Sequence, residues 1–101
     1  MKKRYKVTYR EDFARKVENI TAYILYELQN PIASYQFQVK LLQTLSILPY
    51  FPEGMPVYQN TNYHYLIMKH WLIFYKIQDN TVILSRILSS KQNLNNKFLS
   101  D

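Results

Sequence analysis

Three apolar runs stand so close together between residues 63 and 88 that no helix fits between any two of them. They cover residues 63–68, 70–77 and 81–88 and are rich in Ile, Leu, Val, Phe and Tyr, which favour β-strands. The polar residues 78–80 between the last two runs suit a tight hairpin turn. Because strands joined by such short turns run antiparallel, this spacing predicts an antiparallel meander.

The middle run of the meander is largely apolar on both faces. Alternation places Trp71, Ile73, Tyr75 and Ile77 on one face of the strand and Leu72, Phe74 and Lys76 on the other. Each apolar face of a sheet must be covered. We expect the segments upstream to cover one face, and a partner protein is a candidate to cover the other.

Two helices are predicted upstream of the meander, over about residues 11–28 and 31–48. Asn30 and Pro31 separate them, since Asn is a good N-cap and Pro a good first residue of a helix. The first helix has a narrow apolar stripe formed by Phe13, Val17, Ile20, Ile24 and Leu28. The second has a stripe formed by Ile32, Tyr35, Val39, Leu42 and Leu45, which Phe37, Leu41 and Leu48 widen. A wide stripe predicts a helix wedged between its neighbour and the sheet.

The remaining segments complete a single small α+β domain over residues 1–101. Residues 5–9 are β-branched and aromatic and predict an N-terminal strand, while three prolines and a glycine keep the loop 49–62 irregular. Residues 89–101 form a polar tail. We predict that the N-terminal strand joins an antiparallel sheet of about four strands, and that the two-helix hairpin packs on one face of this sheet.

The charge of the chain indicates an anionic partner. Thirteen Lys and Arg against seven Asp and Glu give a net charge of +6 at pH 7. A basic sheet beside a more neutral helical layer fits nucleic acid or an acidic protein, with ordinary solubility charge as the alternative. The absence of cysteine fits the cytoplasm, and no apolar run is long enough for a membrane span or a signal peptide.

Three charged side chains near the meander are candidates for binding an anion. Arg86 is either an anchor for a phosphate or carboxylate, or an arginine whose stem packs on the sheet. Lys69 and His70 lie at a bend between two strands, where they either contribute to such a site or are simply solvated. By alternation, Arg86 is expected on the same face as Val82, Leu84 and Leu88.

Tyr58, Tyr63 and Tyr65 lie near the loop and are candidates for stacking on a base or for lining a protein interface. The alternative is that they are core or half-buried residues. No metal is expected, because His64 and His70 have no ligand spacing with each other or with a carboxylate. No cofactor is expected either, since a lone glycine cannot form a phosphate-binding loop.

Several segments of the sequence resemble those of one family of bacterial proteins. The chain resembles the RelE/ParE superfamily of toxins from type II toxin–antitoxin modules. The resemblance lies in the order of a strand, a helical hairpin broken at LQNP, the segment SILPYFPEGMPVY, and the strands HWLIFYKI and VILSRIL. The resemblance covers roughly residues 4 to 93. It implies the same α+β fold, a growth-inhibiting activity and a role in plasmid stabilisation.

The resemblance implies one of two activities. RelE-like toxins cut messenger RNA on the ribosome without a metal, whereas ParE-like toxins poison DNA gyrase and are not known as nucleases. The arginine expected before the IFY triplet is replaced here by Leu72, and the terminal His and Tyr of one nuclease subgroup fall at Ser89 and Ser90. These departures favour the ParE-like activity, and they leave open whether the chain is an enzyme.

Each possible activity has its own candidate residues for catalysis or binding. A RelE-like nuclease would need a rearranged basic set, for which the candidates are Arg86, Lys91, His64 and His70. In either branch, the residues expected to contact the target or an anion are Arg86, Lys69, Lys91 and Tyr65. A second alternative, outside the toxins, is a small basic module that binds nucleic acid.

The resemblance also implies the partners. They are a cognate antitoxin and, as target, DNA gyrase or the ribosome with its messenger RNA. Operator DNA would be bound only through the complex with the antitoxin, and no membrane is involved. All of these partners are cytoplasmic.

Overall fold

A computed structural model describes residues 4–90 of the chain. Residues 91–101, most of the predicted polar tail, lie outside this range. In chain order the elements are β1 (Lys6–Tyr9), α1 (Glu11–Ala22) with a π-helical turn (Tyr23–Glu27), α2 (Pro31–Leu45), a 3-10 turn (Pro52–Gly54), β2 (His64–Met68), β3 (Trp71–Gln78) and β4 (Thr81–Ser89). The fold class is α+β, as the sequence predicts.

The strands form one four-stranded sheet in the order β1-β4-β3-β2. β2, β3 and β4 are antiparallel neighbours, as the meander predicts. β1 pairs with β4 in parallel, with Val7 opposite Val82 and Tyr9 opposite Leu84, so the sheet is mixed and not wholly antiparallel. A parallel pair needs a long connection, which the helices and the other two strands provide here. No local pattern in the sequence fixes the direction of a strand joined in this way.

The core lies between the helices and one face of the sheet. Ile73, Tyr75 and Val82 from the strands are fully buried there, and Phe13 and Ile20 of α1 pack against this face. Val17 and Ile24 also pack against the core, whereas Leu28, the last residue of the predicted stripe, is exposed. The predicted alternation of β3 is therefore correct on this face.

α2 buries only one side of the wide stripe predicted for it. Ser34, Phe37 and Leu41 are buried, whereas Ile32 and Leu42 are exposed. Ser34 Oγ donates a hydrogen bond to the carbonyl of Thr21 at 3.1 Å, so this small side chain lies where the two helices approach each other. The stripe predicted for α2 was correct for Phe37, Leu41, Leu45 and Leu48, which are buried or pack against the core, and too wide for Ile32, Tyr35 and Leu42, because the helix is apolar on two sides and only one of them faces inward.

The break between the helices follows the local sequence. Asn30 is the N-cap of α2, and its side-chain oxygen accepts a hydrogen bond from the amide of Ala33 at 3.0 Å. Pro31 is the first helical residue, and Gln29 has a positive φ of 50° that reverses the chain. These are the roles that the Asn-Pro pair predicts.

Candidate functional site

A β-bulge in β4 determines where Arg86 lies. Phe74 of β3 is opposite Arg86, but the next residue of β3, Tyr75, is opposite Leu84, so Ser85 is the extra residue of the bulge. Its Oγ donates to the carbonyl of Ile83 at 3.1 Å. The bulge places Leu84 on the helix-covered face and Arg86 on the other. The expectation that Arg86 shares a face with Val82, Leu84 and Leu88 was therefore correct only for Leu88, because the bulge shifts the alternation by one residue between Leu84 and Arg86.

Arg86 belongs to a cross-strand row on the face of the sheet that the helices do not cover. Tyr65, Phe74 and Arg86 are directly opposite one another in β2, β3 and β4. Tyr65 and Arg86 are thus two interstrand spacings apart, roughly 10 Å between their Cα atoms. Two of the residues predicted to contact the target, Tyr65 and Arg86, therefore lie on one face with an aromatic ring between them.

Phe74 has an aromatic cover of its own on this face. It is fully buried although it lies outside the main core cluster. The ring of Tyr58 meets it edge-on at 5.3 Å between centroids, and the rings of Tyr65 and Tyr63 lie at 6.0 and 6.5 Å. The Lys76 ammonium lies 4.7 Å from the centroid of the Tyr63 ring, a cation–π contact. The loop before β2 therefore supplies the cover for this part of the second face.

Leu72, Ser89 and Ser90, which stand where the resemblance implies the arginine, histidine and tyrosine of a nuclease, lie close to this row. Leu72 lies on the same face, opposite Leu88 on one side and Ile67 on the other. Ser89 is opposite Trp71, and the amide of Ser90 donates to the carbonyl of His70 at 2.7 Å. An apolar row thus occupies the place at which the resemblance implies a cation.

His64 is on the helix-covered side of the sheet. Its ring stacks on Tyr75, with 5.4 Å between centroids and 15° between planes, and its Nδ1–H donates to the carbonyl of Met55 at 2.9 Å. Tyr75 in turn donates its hydroxyl to the carbonyl of Pro52 at 2.6 Å, and burial raises the pKa of this hydroxyl. These contacts attach the loop to the sheet. Because His64 and Arg86 lie on opposite faces of the sheet, they do not belong to one site.

Lys69 and His70 form the two-residue turn between β2 and β3 and are both exposed. Lys69 has a positive φ of 56°, as tight hairpin turns require. Both residues of this turn line a groove of about 590 Å³ between the sheet and the helices. Lys69 and His70 therefore lie at the groove and not in the row of Arg86, while Lys91 is outside the described residues.

The groove is apolar with a cationic rim. Its apolar lining comes from α1, the π-helical turn, α2 and the strand ends, and includes Ile20, Ile24, Phe37, Met68 and Trp71. Four basic side chains line it as well: Lys16, Lys40, Lys69 and His70. None of the described residues that line the groove is acidic. The sequence did not single out Lys16 or Lys40, because their convergence with the turn depends on the packing of the helices on the sheet.

The described residues contain no cluster of three or more His, Asp or Glu side chains that could hold a metal ion. No helix within residues 4–90 is both long and apolar enough to cross a membrane. Two surfaces of the described residues are candidates for binding a partner. One is the aromatic row with Arg86, and the other is the cationic groove.

The chain is similar to known proteins in sequence and in fold. Residues 7–94 match the model of a family described as the ParE toxin of the type II toxin–antitoxin system parDE. The fold is similar to a structure of the chromosomal ParDE toxin–antitoxin system from P. aeruginosa, with a TM-score of 0.74 and 10% identity, covering 84% of this chain and 95% of that one. It is also similar to YafQ from E. coli strain BL21(DE3), with a TM-score of 0.51 and 16% identity, covering 86% of this chain and 94% of that one. No curated protein matches the sequence.

Proposed function

Since this chain belongs to the family of ParE toxins of type II toxin–antitoxin systems, we propose that it inhibits growth by binding DNA gyrase and not by cutting messenger RNA. The observation that supports this choice most directly is the row beside Arg86. Leu72, at the position of the nuclease arginine, lies between two apolar side chains. Removing one preorganised donor from a site that stabilises developing charge typically costs about 10²–10³-fold in rate.

The positions of the two histidines also support binding over cleavage. General acid–base catalysis at neutral pH needs groups that titrate near that pH, most often His. His64 stacks on Tyr75 on the helix-covered side, and His70 is in the turn at the end of the groove. Among the described residues, neither histidine shares the row of Arg86. Ser89 and Ser90 cannot substitute for them at neutral pH.

A RelE-like nuclease is the second candidate, and one observation favours it. Arg86 and Lys76 lie among aromatic rings on the face that the helices leave open. Cations beside aromatic side chains suit a single-stranded nucleic acid, whose bases stack on the rings while its phosphates meet the charges. This candidate requires that Arg86, Lys91 or another base supply the missing catalytic groups.

An assay with purified components separates the two candidates. The chain is added to gyrase and supercoiled DNA, and in parallel to a translating extract with a labelled message. We expect inhibition of gyrase or trapping of cleaved DNA, and an intact message. The Arg86→Ala variant should lose the effect on gyrase. Cleavage of the message together with unaffected gyrase would reverse the assignment.

The toxin has a cognate antitoxin as its partner, and we propose that an acidic, partly apolar segment of this antitoxin occupies the cationic groove. The support is charge complementarity, since an acidic segment would meet Lys16, Lys40 and Lys69 around an apolar floor. The Lys40→Glu variant should bind the product of the adjacent reading frame at least about tenfold more weakly. Unchanged affinity, with unchanged dependence on salt, would place the antitoxin elsewhere.

The wider role proposed for the chain follows from the family. The toxin acts in the cytoplasm, where both candidate targets are found, and it reaches operator DNA only in complex with its antitoxin. The module stabilises the plasmid or chromosomal segment that encodes it. Loss of an unselected plasmid carrying the module should therefore be slower than loss of the same plasmid with the Arg86→Ala toxin.

A further inference from the structure

The side of the sheet that the helices leave uncovered carries cations and no acid. Lys76 of β3 and Arg86 of β4 both lie on this side, together with Phe74. None of the residues in the four described strands is Asp or Glu. We call this side of the sheet, defined by Phe74, Lys76 and Arg86, the open face.

β1 adds two more cations to the open face. Val7 is opposite Val82, which is buried on the helix-covered face. Alternation therefore places Lys6, Thr8 and Arg10 on the open face, and all three are exposed. Arg10 directly follows β1 and keeps an extended backbone, with a φ of −79° and a ψ of 152°. Since Lys6 and Arg10 are four residues apart, roughly 13 Å separates their Cα atoms.

The two acids closest to Arg10 in the sequence do not cancel this charge. Glu11 and Asp12 begin α1, and a carboxylate oxygen of each lies 3.6 Å from the guanidinium group of Arg15. Residues 4–15 contain four basic and two acidic side chains. The β1 edge of the open face therefore keeps a positive charge and attracts anions.

The surroundings of Lys6 and Arg10 favour nucleic acid over an acidic protein. Lys6 is opposite Thr81, and Thr81 is opposite Gln78, so polar side chains flank the cation across the sheet. Ile67, an apolar side chain of the open face that is 67% exposed, lies on β2 at the other edge. A protein interface has an apolar centre that is depleted in Lys, whereas an interface with DNA is more polar and more positive.

The aromatic rings of the open face also lie away from β1. Tyr58, Tyr63 and Tyr65 surround Phe74, toward β2. Proteins bind a single strand of nucleic acid by stacking its bases on rings beside the cations. A duplex hides its bases and presents phosphates, which cations alone can bind. The residues around Lys6 therefore suit a duplex.

We infer that the open face binds the phosphate backbone of double-stranded DNA, with Lys6 and Arg10 as the main contacts and Lys76 and Arg86 beside them. This contact reads no base sequence, so selection of the operator stays with the antitoxin complex. The inference extends the proposed function, because a toxin that binds gyrase would also contact the DNA held by that enzyme. Binding of DNA itself does not require gyrase, so it is measured without the enzyme.

Fluorescence anisotropy of a short labelled duplex measures DNA binding by the toxin, separated from its antitoxin in denaturant and refolded. We expect the association constant to fall as salt rises, because each phosphate contact releases a counterion. The double variant Lys6→Gln with Arg10→Gln loses two such contacts. The slope of the logarithm of the association constant against the logarithm of the salt concentration should become shallower by about 2. At about 0.1 M salt, the affinity should fall at least about tenfold.

A second double variant, Lys16→Gln with Lys40→Gln, is the matched control. It removes the same two charges from the groove, which lies on the helix-covered side of the sheet. This control should keep the wild-type slope and bind the duplex within about threefold of the wild-type affinity. All four substituted positions are exposed or half-buried, so far-UV circular dichroism should show both double variants folded.

Equal loss of affinity in the two double variants would overturn the inference, since net charge alone would then explain the binding. So would no binding at about 0.05 M salt, or tighter binding of a single strand than of the duplex. Equal competition by polyglutamate would also overturn it and indicate an acidic protein as the partner. Inhibition of gyrase by a toxin that does not bind DNA would leave the proposed function intact and refute this inference alone. DNA binding without an effect on gyrase would refute the proposed function and support this inference.

Discussion

Replacing Tyr75 by Phe should destabilise the fold through a single hydrogen bond. The Tyr75 hydroxyl donates to the carbonyl of Pro52 at 2.6 Å, and both residues are fully buried. The substitution removes the donor and leaves the carbonyl without it, which costs about 1–3 kcal/mol of unfolding free energy. For a domain of this size, the corresponding fall in melting temperature is about 5–20 °C.

The pH dependence of the unfolding free energy tests whether the lost hydrogen bond is the cause of the destabilisation. Burial raises the pKa of Tyr75 in the folded protein, whereas the tyrosine of the unfolded chain ionises near pH 10. The stabilisation is therefore complete below about pH 10 and is lost as the pH rises through the folded pKa. Phe has no proton to lose, so the difference in stability between wild type and variant should shrink above about pH 10.

Urea unfolding at several pH values measures both effects, with Tyr35→Phe as the matched control. Tyr35 is exposed, so the loss of its hydroxyl should change the unfolding free energy by less than about 0.5 kcal/mol. A Tyr75→Phe variant as stable as this control at pH 7 would refute the argument. The loop before β2 would then be held to the sheet by packing alone.

Four further predictions concern the row, the aromatic cover, the helix break and the exposed surface. Arg86→Ala should abolish growth inhibition with an unchanged melting curve. Arg86→Lys should retain only part of the inhibition, because lysine lacks the planar guanidinium group. A folded Arg86→Ala variant that remains fully toxic would contradict this. Phe74→Ala should cost about 3–5 kcal/mol in urea unfolding, and a cost under about 1 kcal/mol would show that the aromatic cover is loose. Asn30→Ala should cost about 0.5–2 kcal/mol, with Asn30→Gly costing less, and equal costs would argue against the cap. The chain expressed alone should be less soluble than the chain expressed with its antitoxin, and equal yields in the soluble fraction would contradict this.

The features that the sequence predicts correctly are those with a local cause. The spacing of the apolar runs leaves room only for hairpins, and β2, β3 and β4 are found where these runs lie. Asn30 and Pro31 end one helix and begin the next because the cap and the fixed φ act within a single turn. The family resemblance is confirmed by the match over residues 7–94.

The features that the sequence does not predict depend on contacts between distant residues. α2 is apolar on two sides, and its inward side is decided where Ser34 meets the carbonyl of Thr21. β1 runs parallel to β4, and the long path between them allows either direction, so no short pattern predicts it.

The candidate site depends on the bulge at Ser85. Without it, simple alternation assigns Arg86 to the core face, and its neighbours Phe74 and Tyr65 go unrecognised. A bulge adds one residue to one strand without a strong composition signal, so only the register of the sheet reveals it. The groove also depends on contacts between distant residues, because it brings Lys16 and Lys40 beside the turn at residues 69–70.

Primer extension on messenger RNA from cells in which the toxin is induced shows whether the toxin acts on gyrase or cuts the message. With Leu72 beside Arg86 and no histidine in the described part of that row, we predict no discrete new 5′ ends, while DNA breaks accumulate within the same interval. The Leu72→Arg variant should give the same result, because the acid and base would still be missing. New 5′ ends within codons, appearing within minutes and lost in the Arg86→Ala or Lys91→Ala variant, would instead identify the toxin as a nuclease.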